Sequence, residues 1–216
     1  MKINDSFEND LSEFIKFLKK ELNAGEEFEF WHSLEQFEHL FTGLKNKNNG
    51  KVENNVHVDG CLILENGSLI KAGTRIEGNV YIGKNSVIGP NAYLRKNVYI
   101  GENCHIANSE IKNSIVLDNT NIPHYSYVGD SIIGQDVNFG AGTKVANLRF
   151  DDATIKVLVN GKKIDSKRRK LGSLINSGTK LGINSIVYCG RLIGKNCFIY
   201  PGKIVDKNLK NNEEFK

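Results

Sequence analysis

This chain of 216 residues has little proline, methionine or tryptophan, with 3 Pro, 1 Met and 1 Trp. No run of about 18 apolar residues is present, so we expect no membrane-spanning helix. The start, MKINDSFEND, lacks an apolar signal core, and the four cysteines form no CxxC pair. These absences argue against secretion, a zinc ribbon and a dithiol centre, and they predict a cytoplasmic protein. The formal net charge of +4 is too small to indicate nucleic-acid binding.

Asparagine and glycine are abundant instead. The sequence has 27 Asn and 21 Gly, more than one residue in five. These two residues adopt left-handed backbone at the least steric cost. The composition therefore predicts many tight corners and counts against a mostly helical protein.

The first fifty residues have a helical pattern. Apolar residues return at three- and four-residue steps, which predicts one helix ending at Asn23-Ala24-Gly25 and a second short helix after it: Phe7, Leu11, Phe14, Ile15, Leu18 and Leu22, then Leu34, Phe37, Leu40, Phe41 and Leu44. We interpret residues 1–50 as a helical region that packs on the rest of the chain. The alternative is a helical pair that binds a partner or caps the fold.

A six-residue repeat begins at Val52. An aliphatic residue returns every six positions in two runs, Val52, Val58, Leu64, Ile70, Ile76, Ile82, Ile88, Leu94, Ile100 and Ile106, and then Ile175, Leu181, Val187, Ile193, Ile199 and Val205. Six matches neither the strand period of 2 nor the helix period of 3.6. It indicates a coil of three short strands with a corner between each.

The corners are visible three residues after each aliphatic position. Of these sixteen positions, fourteen are Asn or Gly, the exceptions being Cys61 and Ser109. Each corner needs a left-handed residue, so this register predicts where the chain turns. Small residues two positions before the aliphatic one should point inward: Ser86, Ala92, Cys104 and Cys197.

Phrases such as Ile82-Gly-Lys-Asn and Ile193-Gly-Lys-Asn resemble the hexapeptide-repeat acyltransferases. The resemblance covers residues 52–147 and 172–206 and implies an all-β fold, a left-handed parallel β-helix with three hexapeptides in each coil. About seven coils are expected, in a domain spanning residues 51–216. Members of this family are trimers with sites between subunits, so a homotrimer is implied.

The repeat loses its period after Ile106. It continues through Ile111, Leu117, Ile122, Val128, Ile133, Phe139 and Val145, and three of these steps are five residues long. Breaks in a consistent pattern are expected at functional sites. The segment 122–147, IPHYSYVGDSIIGQDVNFGAGTKVAN, resembles the acetyltransferase domain of the bifunctional N-acetylglucosamine-1-phosphate uridyltransferases. Two further segments resemble its archaeal branch: Asn147-Leu-Arg-Phe-Asp151 and Arg168-Arg-Lys-Leu-Gly172.

Each slipped coil is one residue shorter than three full hexapeptides, which stacks Leu94, Ile111, Val128 and Val145 on one edge. Arg95 and Lys112 each follow such a residue, so they should lie on neighbouring coils, one strand spacing apart. Two stacked cations repel unless an anion lies between them, and a phosphate is the natural anion. The same count predicts two more neighbouring pairs: Asp130 with Asn147, and His124 with Ala141.

The resemblance implies roles for these residues. His124 would be the general base that takes a proton from the acceptor amine as the amine attacks acetyl-coenzyme A. Arg95 and Lys112 would hold the sugar phosphate, and three residues would hydrogen-bond the sugar: Tyr127, Asn138 and Asn147. Ala141, between two glycines, would let acetyl-coenzyme A approach the backbone. We predict no metal site.

The chain departs from the family in three ways. Only fifty residues precede the repeat, without the phosphate loop and carboxylates of a nucleotidyltransferase domain, so we expect no uridyl transfer. Ile183 stands where bacterial members have a serine that helps to place the thioester. Pro201 stands where the family offers a backbone N–H to the cofactor, and proline has none. The last two departures affect the donor side and leave the acceptor side intact.

Residues 148–171 interrupt the repeat. Ile155–Val159 and Lys162–Ile164 flank Asn160-Gly161, which predicts a β-hairpin with a primed turn. Basic residues follow the turn, and this arm could grip the acceptor phosphate or a phosphate of coenzyme A. Lys170, just before the repeat resumes, is the best single candidate. The alternative is a solvated basic hairpin.

The sequence thus predicts an acetyltransferase that moves acetyl from acetyl-coenzyme A to the amine of an amino-sugar phosphate, with glucosamine-1-phosphate as the first candidate. One alternative is an O- or N-acyltransferase acting on a nucleotide sugar. Another is a non-catalytic protein that binds a sugar phosphate or nucleotide sugar. A γ-class carbonic anhydrase needs three zinc-binding histidines on this fold, and the five histidines lack that spacing.

Overall fold

The computed structural model describes residues 10–216, so the predicted helix position Phe7 lies, with the rest of residues 1–9, outside the described residues. The first helix, α1, spans Leu11–Ala24, and the second, α2, spans Phe30–Leu40. The Asp10 carboxylate caps α1 by accepting from Ser12 N and Glu13 N, and Gly25 ends it at φ 71°. A 3₁₀ turn at Phe41–Gly43 follows α2. Both predicted helices are confirmed.

Twenty-five short strands follow. In chain order they are β1 Lys47–Asn48, β2 Lys51–Val52, β3 His57–Asp59, β4 Leu62–Leu64, β5 Leu69–Ile70, β6 Arg75–Glu77, β7 Val80–Ile82, β8 Val87–Ile88, β9 Tyr93–Ile100, β10 His105–Ile106, β11 Glu110–Val116, β12 Asn121–Ile122, β13 Tyr127–Gly129, β14 Ile132–Ile133, β15 Asn138–Phe139, β16 Lys144–Val145, β17 Lys156–Val159, β18 Lys162–Asp165, β19 Leu174–Ile175, β20 Lys180–Leu181, β21 Ile186–Val187, β22 Leu192–Ile193, β23 Phe198–Ile199, β24 Ile204–Val205 and β25 Glu214–Phe215.

Except for the β17–β18 pair, the strands stack in parallel to form a β-helix with three faces. Face 1 runs through β1, β4 and β7 to β14, β19 and β22; face 2 runs through β3 and β6 to β13, β16, β21 and β24. The long strands β9 and β11 cross the corner between these two faces. Face 3 runs β2-β5-β8-β10-β12-β15-β20-β23-β25. The predicted fold class is confirmed.

The β-helix has about nine coils, more than the predicted seven, since face 3 has nine strands. At about 4.8 Å per coil, they span about 40 Å. The difference comes from the two ends. Strand β1 begins before Val52, and β25 adds a strand after Val205, where the six-residue repeat no longer marks the chain.

Coil length changes where the repeat slips. Val58 pairs with Ile76, and Ile76 with Leu94, which is the expected spacing of three full hexapeptides. Leu94 then pairs with Ile111, and the next partners are Val128 and Val145. The predicted stack is therefore confirmed, and three successive coil steps are one residue shorter than the steps before them.

Most corners turn where the register predicts. Eleven of the sixteen predicted corner residues have positive φ: Asn55, Gly67, Gly73, Asn85, Asn91, Asn103, Gly178, Asn184, Gly190, Asn196 and Gly202. At four others the preceding residue takes the left-handed conformation: Gly60, Gly78, Lys96 and Asn108. The register is therefore wrong by one residue at those four corners, where Gly or Asn precedes the predicted position in three cases.

The described residues form two apolar cores. The first fills the β-helix with the stacked aliphatic residues, and the predicted inward residues Ser86, Ala92, Cys104 and Cys197 are all buried. The second lies outside face 1, where Phe14, Trp31 and Phe37 of the helices pack on side chains such as Tyr99 and Ile115. The helices are thus packed on the β-helix, as expected.

The excursion at 148–171 forms the predicted hairpin. Strands β17 and β18 pair in antiparallel register, and Asn160 and Gly161 turn at φ 47° and 77°. Val157 and Val159 of the hairpin join the second core. Within residues 10–216, no helix combines the length and apolar character needed to cross a membrane.

Candidate functional site

His124 lies at the corner between face 3 and face 2. It is exposed, and both His124 and Tyr125 are left-handed, at φ 65° and 62°. The backbone is held to the coil on one side by His124 N donating to Ala107 O at 3.0 Å, and to the coil on the other side by Gly142 N donating to His124 O at 2.8 Å. The predicted neighbourhood of His124 and Ala141 is therefore observed.

The cations Arg95 and Lys112 pair across neighbouring coils of face 2, as predicted. Each has its own carboxylate. Arg95 Nε donates to Glu110 Oε1 at 2.6 Å, and Lys112 Nζ donates to Asp130 Oδ2 at 2.6 Å. The inference that this stack requires a bridging anion is therefore wrong, because two acidic side chains already compensate the charge.

Lys112 and Asp130 form a buried ion pair, with side chains 5% and 2% exposed. Burial lowers the pKa of Lys112, against the opposing influence of Asp130. Burial opposes ionisation of Asp130 too, but the hydrogen bonds from Lys112, Asn113 and Asn147 outweigh it and lower the Asp130 pKa. Asn113 Nδ2 and Asn147 Nδ2 reach the Asp130 carboxylate at 2.9 and 2.6 Å. A hydrogen-bonded, largely buried polar cluster thus lies at the end of face 2.

Tyr127 and Asn147 meet above Gly129. Burial raises the pKa of Tyr127, and the neighbouring Asn147 opposes this shift weakly. A Cβ on Gly129 would lie 2.5 Å from Tyr127 Oη and 2.6 Å from Asn147 Nδ2. Glycine at this position therefore leaves room for both polar groups to converge, next to the Asp130 carboxylate.

The excursion at residues 148–171, here called the returning arm, lies along one side of this cluster. Lys170 is exposed and forms an antiparallel bridge with Leu148. Immediately after it, Leu171 N donates to Asn147 O at 3.0 Å and Gly172 N donates to Asp130 O at 2.8 Å. The Lys170 charge also lowers the pKa of Lys112, after burial and together with Lys96. The structure thus brings together five of the predicted residues: Arg95, Lys112, Tyr127, Asn147 and Lys170.

Asn138 is not part of this cluster. It begins β15 on face 3, paired with Asn121, and it lies around the corner from Tyr127. Ile183 follows Ala141 along the same corner, since Asn184 N donates to Ala141 O and Gly202 N to Ile183 O, each at 2.8 Å. Pro201 is therefore next in that column. Beside it lies a groove of about 440 Å³ lined by face 3 residues, among them Tyr200 and Phe198.

Sequence reasoning missed the contacts of Asn113, Gly129 and Glu38. Asn113 is buried and left-handed, and it falls outside the six-residue register that marks the other corners. Glu38 Oε1 accepts from Asn113 Nδ2 at 2.7 Å. The preference of asparagine for left-handed backbone could have signalled Asn113, but nothing in the sequence pattern links Glu38 to it across 75 positions. Among residues 10–216, no cluster of three or more His, Cys, Asp or Glu could hold a metal ion.

Comparison with known proteins identifies relatives. The family model described as "GMPPB C-terminal domain" matches residues 76–214. "Bifunctional protein GlmU" of Methanocaldococcus jannaschii is 44% identical over 192 residues, which cover 84% of this chain and 47% of the relative. The protein of the same name from Methanococcus maripaludis strain C7 is 59% identical over 154 residues, 71% of this chain and 37% of the relative. The chain thus spans at most about half the length of these relatives.

Solved structures are more distant. The polysialic acid O-acetyltransferase OatWY matches with a TM-score of 0.40 and 17% identity, over 77% of this chain and 80% of that one. That likeness is too low to support an argument about the site. The family model and the curated relatives confirm the resemblance inferred from the repeat and from segment 122–147. This chain belongs to the GMPPB C-terminal domain family, and it is similar to the archaeal GlmU proteins.

Proposed function

We propose that this protein transfers acetyl from acetyl-coenzyme A to the amine of an amino-sugar phosphate, glucosamine-1-phosphate being the first candidate. The observation that carries the proposal is one continuous surface on face 2. It has an exposed histidine at one corner, His124, and a cationic, hydrogen-bonding cluster around Arg95 and Lys112 at the other. The three-residue strand between them, Tyr127–Gly129, is about 10 Å long, a span that suits a sugar phosphate.

The reaction needs a base beside the amine. His124 accepts a proton from the attacking nitrogen, a C–N bond forms, and the C–S bond of the thioester breaks. The proton then passes from His124 to the leaving sulfur, so that coenzyme A is released as the thiol. Imidazole is the side chain best suited to this role near neutral pH. A general base of this kind contributes about 10²–10⁴-fold to the rate.

The cluster supplies recognition of the acceptor. Arg95 uses Nε for Glu110 and, within residues 10–216, its two Nη groups have no hydrogen-bond partner, so they are free for phosphate. Lys170 adds an exposed charge, and Tyr127 and Asn147 offer hydrogen bonds to sugar hydroxyls. Lys112 is buried with Asp130, and we propose that it contributes positive potential at the phosphate.

The donor is proposed to lie along the His124–Ala141 corner. The apolar groove that includes Phe198 and Tyr200 would cover the pantetheine chain. Ile183 is 54% exposed here and provides no hydroxyl for the thioester. Binding therefore depends on apolar contacts more than on directed hydrogen bonds.

A cytoplasmic homotrimer completes the proposal. Asn138 lies on face 3, around the corner from Tyr127, so one copy cannot present both side chains to one acceptor along face 2. A second copy packed at the corner would bring its Asn138 toward the Tyr127 of the first. The sedimentation coefficient of the purified protein tests this assembly.

The activity is tested by incubating the protein with acetyl-coenzyme A and glucosamine-1-phosphate and measuring free thiol. We expect release that depends on the acceptor and falls by about 10²–10⁴-fold in His124→Ala. No release, or release unchanged in His124→Ala, would contradict the proposal.

A panel of acceptors separates the two remaining candidates. Faster transfer to a nucleotide sugar than to glucosamine-1-phosphate would favour an acyltransferase of a different substrate class. Ile183 and Pro201 are the observation that favours a non-catalytic binding protein, because Ile183 has no side-chain hydroxyl and Pro201 has no backbone N–H. Calorimetric binding of glucosamine-1-phosphate without any binding of acetyl-coenzyme A would favour that alternative.

A further inference from the structure

The N-terminal helices contribute a side chain to the polar cluster of the candidate site. Glu38, near the end of α2, places Oε1 2.7 Å from Asn113 Nδ2 and 2.5 Å from Arg168 Nη2. Asn113 belongs to the β-helix and Arg168 to the returning arm. Glu38 therefore ties together three regions: the helices, the slipped coils and the arm.

Asn113 links Glu38 to the Lys112–Asp130 ion pair. Its Nδ2 donates both to Glu38 and to Asp130 Oδ1, at 2.7 and 2.9 Å, while its Oδ1 is buried without a hydrogen-bond partner in the described chain. The side-chain amide is thus oriented only by these two bonds. Without Glu38, one bond to Asp130 would remain, and the amide could rotate.

Arg168 links Glu38 to the segment that carries Lys170. Its side chain is 15% exposed and pairs with Glu38, while its Nε donates to Lys170 O at 3.4 Å. The following residues Leu171 and Gly172 are hydrogen-bonded to Asn147 and Asp130. One carboxylate therefore fixes both the Asp130 side of the cluster and the segment that presents Lys170.

The charges alternate along this chain of contacts. Lys112 faces Asp130, Asn113 bridges the two carboxylates, and Arg168 neutralises Glu38. Removing the Glu38 charge leaves a largely buried arginine without its partner and leaves Asn113 with one acidic group instead of two. Partly satisfied networks of this kind lose their defined geometry.

We propose that Glu38 is a positioning residue of the acceptor site: it holds Asn113 and Arg168, and through them Lys112, Asp130 and Lys170, in the arrangement that receives the sugar phosphate. This inference rests on the proposed function for its kinetic consequence. Its structural consequence, the protection of Lys112, is independent of any activity.

The test uses Glu38→Gln, with Glu35→Gln as the matched control. Glu35 lies one turn earlier on α2 and is half exposed, where it pairs with His32. The first readout is labelling of lysines by acetic anhydride, followed by mass spectrometry. We expect Lys112 to be strongly protected in the wild-type protein and at least about threefold more reactive in Glu38→Gln, with no change in Glu35→Gln.

The second readout is kinetic. We expect Glu38→Gln to raise the KM for glucosamine-1-phosphate about tenfold, equivalent to about 1.4 kcal/mol, with the KM for acetyl-coenzyme A unchanged. Arg168→Gln should act in the same direction, and Arg168→Lys should restore part of the loss. If Glu38→Gln fails to fold by thermal melting, Arg168→Gln carries both readouts.

The two proposals fail differently. Wild-type protein that transfers no acetyl while Glu38→Gln unmasks Lys112 contradicts the proposed function and supports the positioning role. Lys112 labelling that is the same in Glu38→Gln and wild type, or that rises equally in Glu35→Gln, overturns the positioning role whatever the activity.

Discussion

Two ion pairs on face 2 differ in their exposure to solvent. On a regular coil, Arg75 pairs with Glu77 and both side chains reach solvent, 52% and 34% exposed. Lys112 is aligned with Glu77 two coils further along the β-helix, and it pairs with Asp130, with both side chains buried. The repeat is the same, but in the short coils α2 and the returning arm cover the corners. Covering a corner turns a solvated ion pair into a fixed polar cluster.

Breaking the buried pair should have the largest effect on stability. Asp130→Asn keeps the shape of a left-handed residue but leaves Lys112 buried without a counter-charge. We expect it to lower the free energy of unfolding by about 3–5 kcal/mol, measured by urea denaturation.

The solvated pair provides the control for that variant. Glu77→Gln removes the corresponding charge on the regular coil and should leave the denaturation midpoint unchanged. An equal loss in both variants would mean that burial does not distinguish the two ion pairs.

Crowding the site should affect binding more than stability. Gly129→Ala places a methyl group against Tyr127 Oη and against Asn147 Nδ2, which donates to Asp130. We expect the KM for glucosamine-1-phosphate to rise about tenfold, which corresponds to the loss of one hydrogen bond to the acceptor, with a smaller loss in melting temperature. Gly43→Ala, where a Cβ meets nothing within 4 Å, serves as the control. Unchanged acceptor kinetics in Gly129→Ala would show that sugar does not contact this part of face 2.

Two substitutions test which residue of a corner takes the left-handed conformation. Asn85 has φ 58°, and Asn85→Ala should cost about 1–2 kcal/mol because alanine is strained there. Asn97 occupies the same position in the repeat, but Lys96 takes the left-handed conformation at that corner. Asn97→Ala should therefore cost less than Asn85→Ala in thermal unfolding. Equal costs would contradict the observed corner.

Lowering the pH should have the smallest effect, on the difference in unfolding free energy between wild type and Asp130→Asn. The Asp130 pKa is lowered from its ordinary 3.8 in the folded protein. The stabilisation by this carboxylate is therefore fully present above the unfolded pKa and is lost as the pH falls through the lower folded value. The gap in unfolding free energy between wild type and Asp130→Asn should be constant from pH 7 to about 5 and narrow below about pH 4. A gap that stays constant to pH 2 would exclude a titrating Asp130.

Much of the fold could be predicted because its information is local. Each corner and each inward residue recurs at a fixed distance from an aliphatic residue. The repeat alone therefore predicts that Ile82 points inward and that Asn85 forms a corner. The shortened coil step likewise predicted that Arg95 and Lys112 would be neighbours. Their carboxylate partners were not predicted, because a hydrogen bond depends on side-chain direction as well as on register.

Other features depend on how distant segments pack. Glu38 and Arg168 are separated by 130 positions and meet only because α2 and the arm cover the same corner. The shift of the corner from Asn97 to Lys96 occurs within β9, which continues from face 2 to face 1 and so changes the local turn. A periodic pattern cannot indicate either feature.

The central claim is acetyl transfer by the short coils, and one comparison of two histidines tests it most directly. His124 lies on the corner of a short coil, whereas His57 is exposed on a regular coil of the same β-helix. The rate of acetylated glucosamine-1-phosphate formation should be measured by mass spectrometry for wild type, His124→Ala and His57→Ala. We predict product with wild type and His57→Ala and a loss of about 10²–10⁴-fold with His124→Ala. Equal rates in the two variants, or no product with wild type, would contradict it.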